Sequence, residues 1–371
     1  MVSPRSAVAS DVLSRPGANA REATLVLRDL AAQMPRLHGA EERQARSILA
    51  RPTDGAADAY GNGYSGKSKR ACGNNVCVHW ALSGADAPPG AGTAGTPSWV
   101  QTTLKTFQNA WQQEIGVLGY RAPKGDLSSR NDGGNRKLDI YLADIGGRGL
   151  YGYCTSDDPH IPRYTGADGR RHYDMSAYCV VDDDFATSQF PENTRLENLR
   201  VTAAHEFFHA AQFAYDWLED IWFMEGTATW MEDAVYDGID DNYQFLRTSA
   251  LTRPGVPLDL GGKGYEYGSW LFFRHLSETY GARIIRRAWK LAGSAHGDLD
   301  RHSTRALAGA LSEVGATTQA AFSSFAQATT TRRRPTKRAC RTSPTSAEHI
   351  RPAPRCPCWS RAPARGCGRS R

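Results

Sequence analysis

The sequence has no long hydrophobic run. None of its 371 residues belongs to an apolar stretch approaching the roughly 18 residues needed to cross a bilayer, so no membrane-spanning helix is expected. Residues 1–11 also lack the apolar region of a secretory signal. Either the protein is cytosolic, or the chain starts downstream of its natural beginning. The hydrophobic share of 40% is still enough for a sizeable core.

Cysteine pairs with the spacing of a zinc site are also missing. The four cysteines before residue 331 have no C-x-x-C spacing, and they allow three disulfide pairings that sequence alone does not separate. We expect disulfides, which are typical of an oxidising compartment, and the alternative is four reduced, buried thiols. The expected pairs are Cys72–Cys77 and Cys154–Cys179.

Excess positive charge is confined to one end of the chain. Residues 332–371 hold twelve of the 45 Lys and Arg residues and one acid, Glu348. Residues 1–331 therefore carry 33 basic and 38 acidic residues, although the net charge of the whole chain is +6. The basic balance is no evidence that the folded part binds nucleic acid, and we expect neither a nucleic-acid nor a membrane partner.

Residues 331–371 are also poor in aliphatic side chains and have no periodicity, so we predict a disordered basic tail. One interpretation is a basic tail that binds nucleic acid or a membrane, and another is a natural disordered tail. We favour a third, a frameshift in a GC-rich gene, because out-of-frame codons there yield mostly Arg, Pro, Ala and Cys.

Three further segments precede this tail. Residues 1–52 are predicted to be a helical N-terminal segment, with two short amphipathic helices over 20–52. Residues 53–71 are rich in Gly, Ala, Asp and Ser and are predicted to be a linker. The N-terminal segment is interpreted either as a propeptide or as a helical cap on the main domain, which spans 72–330.

Strands dominate the first half of the main domain and helices dominate the second half, which predicts an α+β fold. Strands are expected at 76–82, 137–143, 150–153 and 178–181. Helices are expected at 100–118, 196–215, 225–235, 267–280, 283–291 and 303–327.

The motif that carries chemistry is H-E-F-F-H at 205–209. Two histidines four residues apart share one face of a helix, so His205 and His209 can bind one metal ion. Zinc suits such a ligand set and needs a third protein ligand plus one open position. Glu206, beside the first histidine, can then take a proton from the attacking water.

The third ligand decides the class of enzyme. In metzincins a glycine and a third histidine follow the motif, but those positions here are Gln212 and Tyr215, which excludes that class. Glu225 opens a predicted helix sixteen positions after His209 and is the expected ligand. The competing acids are Glu219, Asp220 and Glu232, and Glu232 is either a residue that orients a ligand histidine or a solvated helix acid.

Residues 222–232, W-F-M-E-G-T-A-T-W-M-E, resemble the W-L-N-E-G-F-A-x-Y-x-E segment of zinc aminopeptidases, in which the first Glu binds zinc. Those enzymes belong with thermolysin to the gluzincins, but the gap after the second His is shorter here. Residues 205–216 and 225–233 are more similar to a group of secreted metalloproteases predicted in actinobacteria and myxobacteria. This resemblance covers about residues 20–330.

The resemblance implies a zincin-like domain with a mixed sheet packed on the H-E-x-x-H helix. It implies Zn²⁺ on His205, His209 and Glu225, and it implies a secreted protein. Those similar proteins usually carry a signal peptide, whereas residues 1–11 of this sequence lack its apolar region. Gluzincins often use a downstream Tyr or His to stabilise the oxyanion, which makes Tyr267 a candidate, with Tyr265 and His275 behind it. Aromatic packing at a helix end is the alternative.

We therefore predict a zinc metallopeptidase with Glu206 as general base, acting on a protein or peptide. The rival hypotheses are a zinc hydrolase acting on a non-peptide amide or ester, a non-catalytic zinc-stabilised binding protein, and an inactive fragment. Calcium at 182–184 or 237–242 is a weaker alternative, because acidic turns are usually only solvated. His79, His160 and His172 lack the spacing of metal ligands. We expect His79 to be a packed or surface residue of a strand, and His160 and His172 to lie in loops.

Overall fold

A computed structural model describes residues 23–54, 63–127 and 129–330. Its centre is a five-stranded mixed sheet with strand order β1-β2-β3-β7-β4. The three inner strands are parallel to one another, and both edge strands run antiparallel to their neighbours. The strands are β1 Ser68–Cys72, β2 Val76–Ala81, β3 Leu138–Ala143, β4 Gly152–Thr155 and β7 Tyr178–Asp182, with a separate hairpin of β5 Tyr164–Thr165 and β6 Arg171–His172.

The helices follow the α+β order that the sequence predicts, with two before the sheet, one within it and the others after it. They are α1 Ala23–Gln33, α2 Ala40–Ile48, α3 Ser98–Trp111, α4 Arg195–Phe213, α5 Ile221–Tyr236, α6 Tyr265–Gly268, α7 Trp270–Tyr280, α8 Arg283–Ala292, α9 Ser303–Glu313 and α10 Thr318–Thr330. Single turns of 3-10 helix occupy Met34–Arg36 and Gly146–Arg148, a longer 3-10 segment covers Asp241–Thr248, and a π-helical segment, Gln112–Val117, extends α3.

Both faces of the sheet are covered. All residues of β2, β3, β4 and β7 are buried, including polar ones such as His79 of β2 and Asp139 of β3. The edge strand β1 is polar and mostly exposed. It lies largely inside the predicted linker 53–71, because a solvent-facing edge strand carries no hydrophobic signal.

The two expected disulfides are present. Cys72 and Cys77 face each other across the β1–β2 hairpin, and Cys154 and Cys179 do so across the β4–β7 pair. Directly opposed residues of antiparallel strands are close enough for such a bond. Within the described ranges, no helix has the length and apolar character to cross a membrane.

Helix α4 is the central helix of the fold. Thr194 and Glu197 form a capping box at its start, which fixes where the helix begins. From Asn198 to Phe213 all but one of its residues are buried, because the helix packs against β4 and β7 on one side and against α3 and α5 on the others. A helix buried on all sides holds its polar side chains in a fixed environment.

A buried cation, Arg51, is one of the links between the N-terminal segment and the sheet. Arg51, which follows α2, has a side chain with no solvent exposure. Its guanidinium donates hydrogen bonds to Asp126 at 2.7 Å, Asp139 at 2.8 Å and Asp157 at 2.8 Å. Asp139 lies on β3 and also accepts from His79 of β2. The described part of the segment, from residue 23 onward, is therefore packed on the main domain, as a helical cap would be.

We predict that Arg51→Ala destabilises the protein by about 3–5 kcal/mol, because it leaves buried carboxylates without their counter-charge. Arg46→Ala, which removes an exposed arginine paired with Glu42 on the same segment, should cost less than about 0.5 kcal/mol. Urea unfolding of both variants measures the difference. Equal losses would contradict the role of Arg51.

The effect of Arg51→Ala should also depend on pH. Burial raises the pKa of Asp126 to about 6, although Arg51 opposes the rise. An acid whose folded pKa is raised favours the folded state at low pH and loses that contribution as pH rises through the folded pKa. Without Arg51 the pKa of Asp126 rises further, so at about pH 5 this buried carboxyl is protonated and needs no counter-charge. The destabilisation by Arg51→Ala should therefore be smaller at about pH 5 than at about pH 8. A loss that does not change with pH would contradict this account.

Candidate metal centre

The two histidines of the motif lie on the same face of α4, as their spacing predicts. His209 is fully buried and His205 is 8% exposed. Their Nε2 atoms are 3.1 Å apart, and the two rings are tilted by 76° with centroids at 4.8 Å. Both rings therefore point their Nε2 atoms toward one point.

Helix α5 brings the third group to the same point. After α4 ends, the chain reverses through residues 214–220, and α5 then packs along α4. Glu225 is fully buried, and its Oε2 atom lies 3.1 Å from the Nε2 of His205 and 3.5 Å from the Nε2 of His209. The three ligand atoms thus form a nearly equilateral triangle.

The size of this triangle fits a zinc ion. Zinc binds nitrogen and carboxylate oxygen at about 2.0–2.2 Å, so two ligands of a tetrahedral site lie about 3.3–3.5 Å apart. The observed separations of 3.1, 3.1 and 3.5 Å are close to that value. The other oxygen of Glu225, Oε1, is buried and has no hydrogen-bond partner among the described residues. A buried carboxylate with an unpaired oxygen is costly unless a cation compensates it.

A second set of residues holds the two rings in place. The Nδ1 of His205 lies 2.7 Å from Oε1 of Glu232, and the Nδ1 of His209 lies 2.8 Å from Oε1 of Gln212. Because both acceptors take a proton from Nδ1, the Nε2 atoms are left to face the centre. Glu232 is 3% exposed, so it is not a solvated helix acid.

The charges of these groups are strongly coupled. Burial alone would lower the pKa of His205, but its hydrogen bonds with Glu225 and Glu232 outweigh burial and raise the pKa to about 10. Burial would raise the pKa of Glu225, but the charge of His209 and the hydrogen bond with His205 lower it to about 2. The centre therefore favours an ionised Glu225 with positive charge beside it.

Glu206 lies on the side of α4 that faces the edge strand β4. It is 6% exposed, and burial raises the pKa of its carboxyl group. Gly152 of β4 permits this close approach, since a Cβ at that position would stand 2.9 Å from the Cγ of Glu206. A cavity of about 20 Å³ adjoins His205 and Glu206 and is otherwise lined by Tyr151, Gly152, Val201, Thr202 and Glu232. This space is enough for a water molecule.

The competing third ligands lie elsewhere. Glu219 accepts hydrogen bonds from the backbone and side chain of Ser303 at the start of α9. Asp220 precedes α5 and is paired with His302 at 3.1 Å. Neither belongs to the group of side chains that converge with His205.

Tyr267, the candidate oxyanion stabiliser, is buried beside the centre. Its ring stacks on the ring of His205 with centroids 6.1 Å apart, and on Phe245 at 4.9 Å. Tyr265 donates instead to the carbonyl of Val256, and His275 contacts Ser324 of α10.

The remaining candidates are separate from this centre. His79 is buried against Tyr141, and His160 and His172 bond to Asp158 and Asp168 respectively. In the acidic run 182–184, the carboxylates of Asp182 and Asp183 converge with that of Asp144. Residues 237–242 form no such group within the described ranges.

Three side chains that interact with the residues of the motif were not predicted from the sequence. Gln212 follows His209 by three positions, and this spacing places both side chains on the same helix face. That spacing is the sequence signal from which Gln212 could have been found. Thr24, far away in sequence, donates to Oε2 of Glu206 at 3.3 Å. Glu114 is fully buried in the π-helical segment, neither of its oxygens has a hydrogen-bond partner among the described residues, and burial raises its pKa well above the usual range. No pattern in the sequence marks Thr24 or Glu114.

We predict that Glu232→Gln lowers the zinc affinity of the protein by about 10- to 100-fold, the usual effect of losing a residue that orients a ligand histidine. Asp237→Asn, at the exposed end of the same helix, is the control and should leave the affinity unchanged. Competition with a fluorescent zinc chelator measures both. Equal affinities for Glu232→Gln and the unmodified protein would show that Glu232 does not orient His205.

Comparison with known proteins does not assign this chain to a family. A scan against models of protein families and a search of the curated proteins both gave no match. What this centre can do therefore has to be argued from its own residues.

Proposed function

We propose that the protein is a zinc-dependent metallopeptidase in which His205, His209 and Glu225 hold Zn²⁺. The observation that carries this proposal is the convergence of three ligand atoms at separations of 3.1, 3.1 and 3.5 Å. These atoms come from two different helices, and two further buried side chains orient the rings. The proposed fold is zincin-like, an extension of the α+β architecture with its mixed sheet packed on α4.

A bound zinc ion would supply Lewis-acid chemistry, polarising a substrate carbonyl and making water more acidic. Glu206 is the proposed general base, because it follows the proposed ligand His205 on α4 and borders the cavity beside it. Its raised pKa suits a carboxylate that takes a proton from water and then passes it to the leaving amine. Tyr267, stacked beside His205, is the proposed donor to the developing oxyanion.

A catalytic role is favoured over a structural one. Structural zinc sites use four protein ligands, commonly with cysteine. The four cysteines of the described residues are engaged in two disulfides, and the metal-ligating side chains of that part of the chain that converge at the centre number three. The free side of the centre adjoins the cavity and Glu206. The two disulfides also favour secretion, since such bonds persist in oxidising compartments.

We predict that Glu206→Gln retains stoichiometric zinc but lowers hydrolysis of a casein substrate by about 10²- to 10⁴-fold, because the general base is lost while the ligands remain. Glu197→Gln is a matched control on the same helix, since Gln also satisfies the capping box. Its activity should stay close to that of the unmodified protein.

Zinc content and initial rates of all three proteins decide the matter. Unchanged casein hydrolysis in Glu206→Gln would contradict the proposed mechanism. If the protein hydrolyses small esters or amides but not casein, the proposed peptidase activity would be wrong, and the same metal centre would serve a different hydrolase.

A further inference from the structure

A second group of carboxylates lies at the carboxyl ends of two neighbouring strands. Strands β3 and β7 are parallel, with Ala143 opposite Asp182, so the residues at their ends emerge at one edge of the sheet. Asp182 is the last residue of β7, Asp183 follows it, and Asp144 follows β3. One carboxylate oxygen of each acid lies within 4.8 Å of the other two. The three side chains therefore surround one point that is separate from the proposed zinc centre.

Backbone donors fix the carboxylate of Asp182, which has no solvent exposure. Its Oδ1 atom accepts from the N–H of Gly146 at 2.5 Å, and its Oδ2 atom accepts from the N–H of Phe185 at 2.6 Å. Burial raises its pKa to about 6, although these hydrogen bonds oppose the rise. Asp182 is therefore ionised at neutral pH and holds the turns after β3 and β7 together.

The side chain of Asp183 has no such donors. It is 7% exposed, and within the described part of the chain its carboxylate accepts no hydrogen bond and pairs with no cation. Burial, followed by the like charges of Asp182, Asp184, Asp144 and Asp86, raises its pKa to about 8. Unlike the acid of a solvated turn, a buried carboxylate among like charges is costly unless a cation compensates it.

The nearby arginines act at the margin of this group. Arg195 pairs with Asp184 at 3.5 Å. The charge of Arg148 opposes the rise in the pKa of Asp86, which burial causes. Both arginines therefore act on the outer acids, and the excess negative charge stays around Asp183.

A neutral oxygen lies beside the same carboxylates. The Oε1 atom of Gln189 is buried and has no hydrogen-bond partner among the described residues. The amide nitrogen of the same side chain is 3.5 Å from Oδ1 of Asp144. A Cβ at Gly146 would stand 2.6 Å from Oδ1 of Asp182 and 2.7 Å from Oε1 of Gln189, so the glycine leaves room for both oxygens. The group thus combines carboxylate and amide oxygens, the ligands that calcium takes in proteins.

We propose that Asp144, Asp182 and Asp183 form a calcium site, with the amide oxygen of Gln189 as a further ligand. Calcium binds oxygen at about 2.3–2.6 Å, so two oxygens on one ion are at most about 4.6–5.2 Å apart, and the carboxylate oxygens, all within 4.8 Å of one another, meet that limit. Magnesium binds at about 2.0–2.1 Å and usually keeps several waters instead of a set of protein oxygens. The group has no imidazole or thiolate, which disfavours zinc.

An ion at this place would join the ends of β3 and β7 to the segment that leads into α4. Gln189 belongs to that segment, and the next residue, Phe190, packs on the ring of Tyr151 with centroids 4.2 Å apart. Tyr151 in turn lines the cavity beside Glu206. The ion has no role in the proposed hydrolysis, and its expected effect is to stabilise the folded chain around that cavity.

Thermal unfolding of the full chain tests the site. The protein is freed of calcium on a chelating resin and supplied with one equivalent of zinc. The unmodified protein is compared with Asp183→Asn and with Asp259→Asn, an exposed acid outside the group that serves as the control. Each is unfolded without further metal, with about 5 mM CaCl₂, and with MgCl₂ at the same concentration, which exceeds the dissociation constants of about 10⁻⁴–10⁻³ M that are typical of extracellular calcium sites.

Calcium should raise the Tm of the unmodified protein and of Asp259→Asn by at least about 2 °C, and magnesium should raise it less. Asp183→Asn should show no rise with calcium. Without added calcium, its Tm should be no lower than that of the unmodified protein, because the substitution removes a buried charge among like charges and keeps the shape of the side chain. A residue that only supports the fold would instead lower the Tm when it is replaced.

A Tm of the unmodified protein that calcium does not change would overturn the site, and so would an equal rise in Asp183→Asn. An equal rise with magnesium would overturn the assignment to calcium. If Asp183→Asn does not fold, Asp144→Asn carries the same comparison. A protein that responds to calcium but binds no zinc would contradict the proposed function and leave the calcium site intact.

Discussion

The structure depends on one arrangement, the meeting of two imidazoles and a carboxylate in the buried contact between α4 and α5. Three polar side chains that are each at least nine-tenths buried carry a large desolvation cost. Part of that cost is offset by the hydrogen bonds from His205 to Glu232 and from His209 to Gln212. The rest of the desolvation cost is not offset by hydrogen bonds, because Oε1 of Glu225 has no hydrogen-bond partner among the described residues. A cation bound between His205, His209 and Glu225 would offset it.

Neighbouring elements of the fold fix the position of α4 and of the side chains that meet between α4 and α5. The capping box at Thr194 fixes the start of α4, and the sheet supports one side of the helix. Gly152 lets β4 approach Glu206 closely, so the edge strand, the base and the ligands share one small volume. Thr24 of the N-terminal segment donates to Glu206, and Arg51 anchors the same segment to Asp139 of the sheet.

Sequence predicted the parts of this arrangement that are local. The spacing of His205 and His209 fixes their common face, and the strand-then-helix order gives the α+β class. The expected cysteine pairs are present, though sequence alone did not choose between pairings. Long-range contacts were out of reach, because Thr24 meets Glu206 across 182 positions. The strand β1 was missed inside the predicted linker because an exposed edge strand has no apolar pattern.

The most direct test of the central claim is zinc analysis of the purified protein beside His205→Ala and Glu225→Ala, combined with X-ray absorption at the zinc edge. The account predicts one zinc per unmodified chain, bound by nitrogen and oxygen at about 2.0–2.2 Å with no sulfur at about 2.3 Å, and loss of stoichiometric zinc in both variants. Zinc retained by Glu225→Ala, or a sulfur ligand in the spectrum, would contradict the proposed coordination sphere.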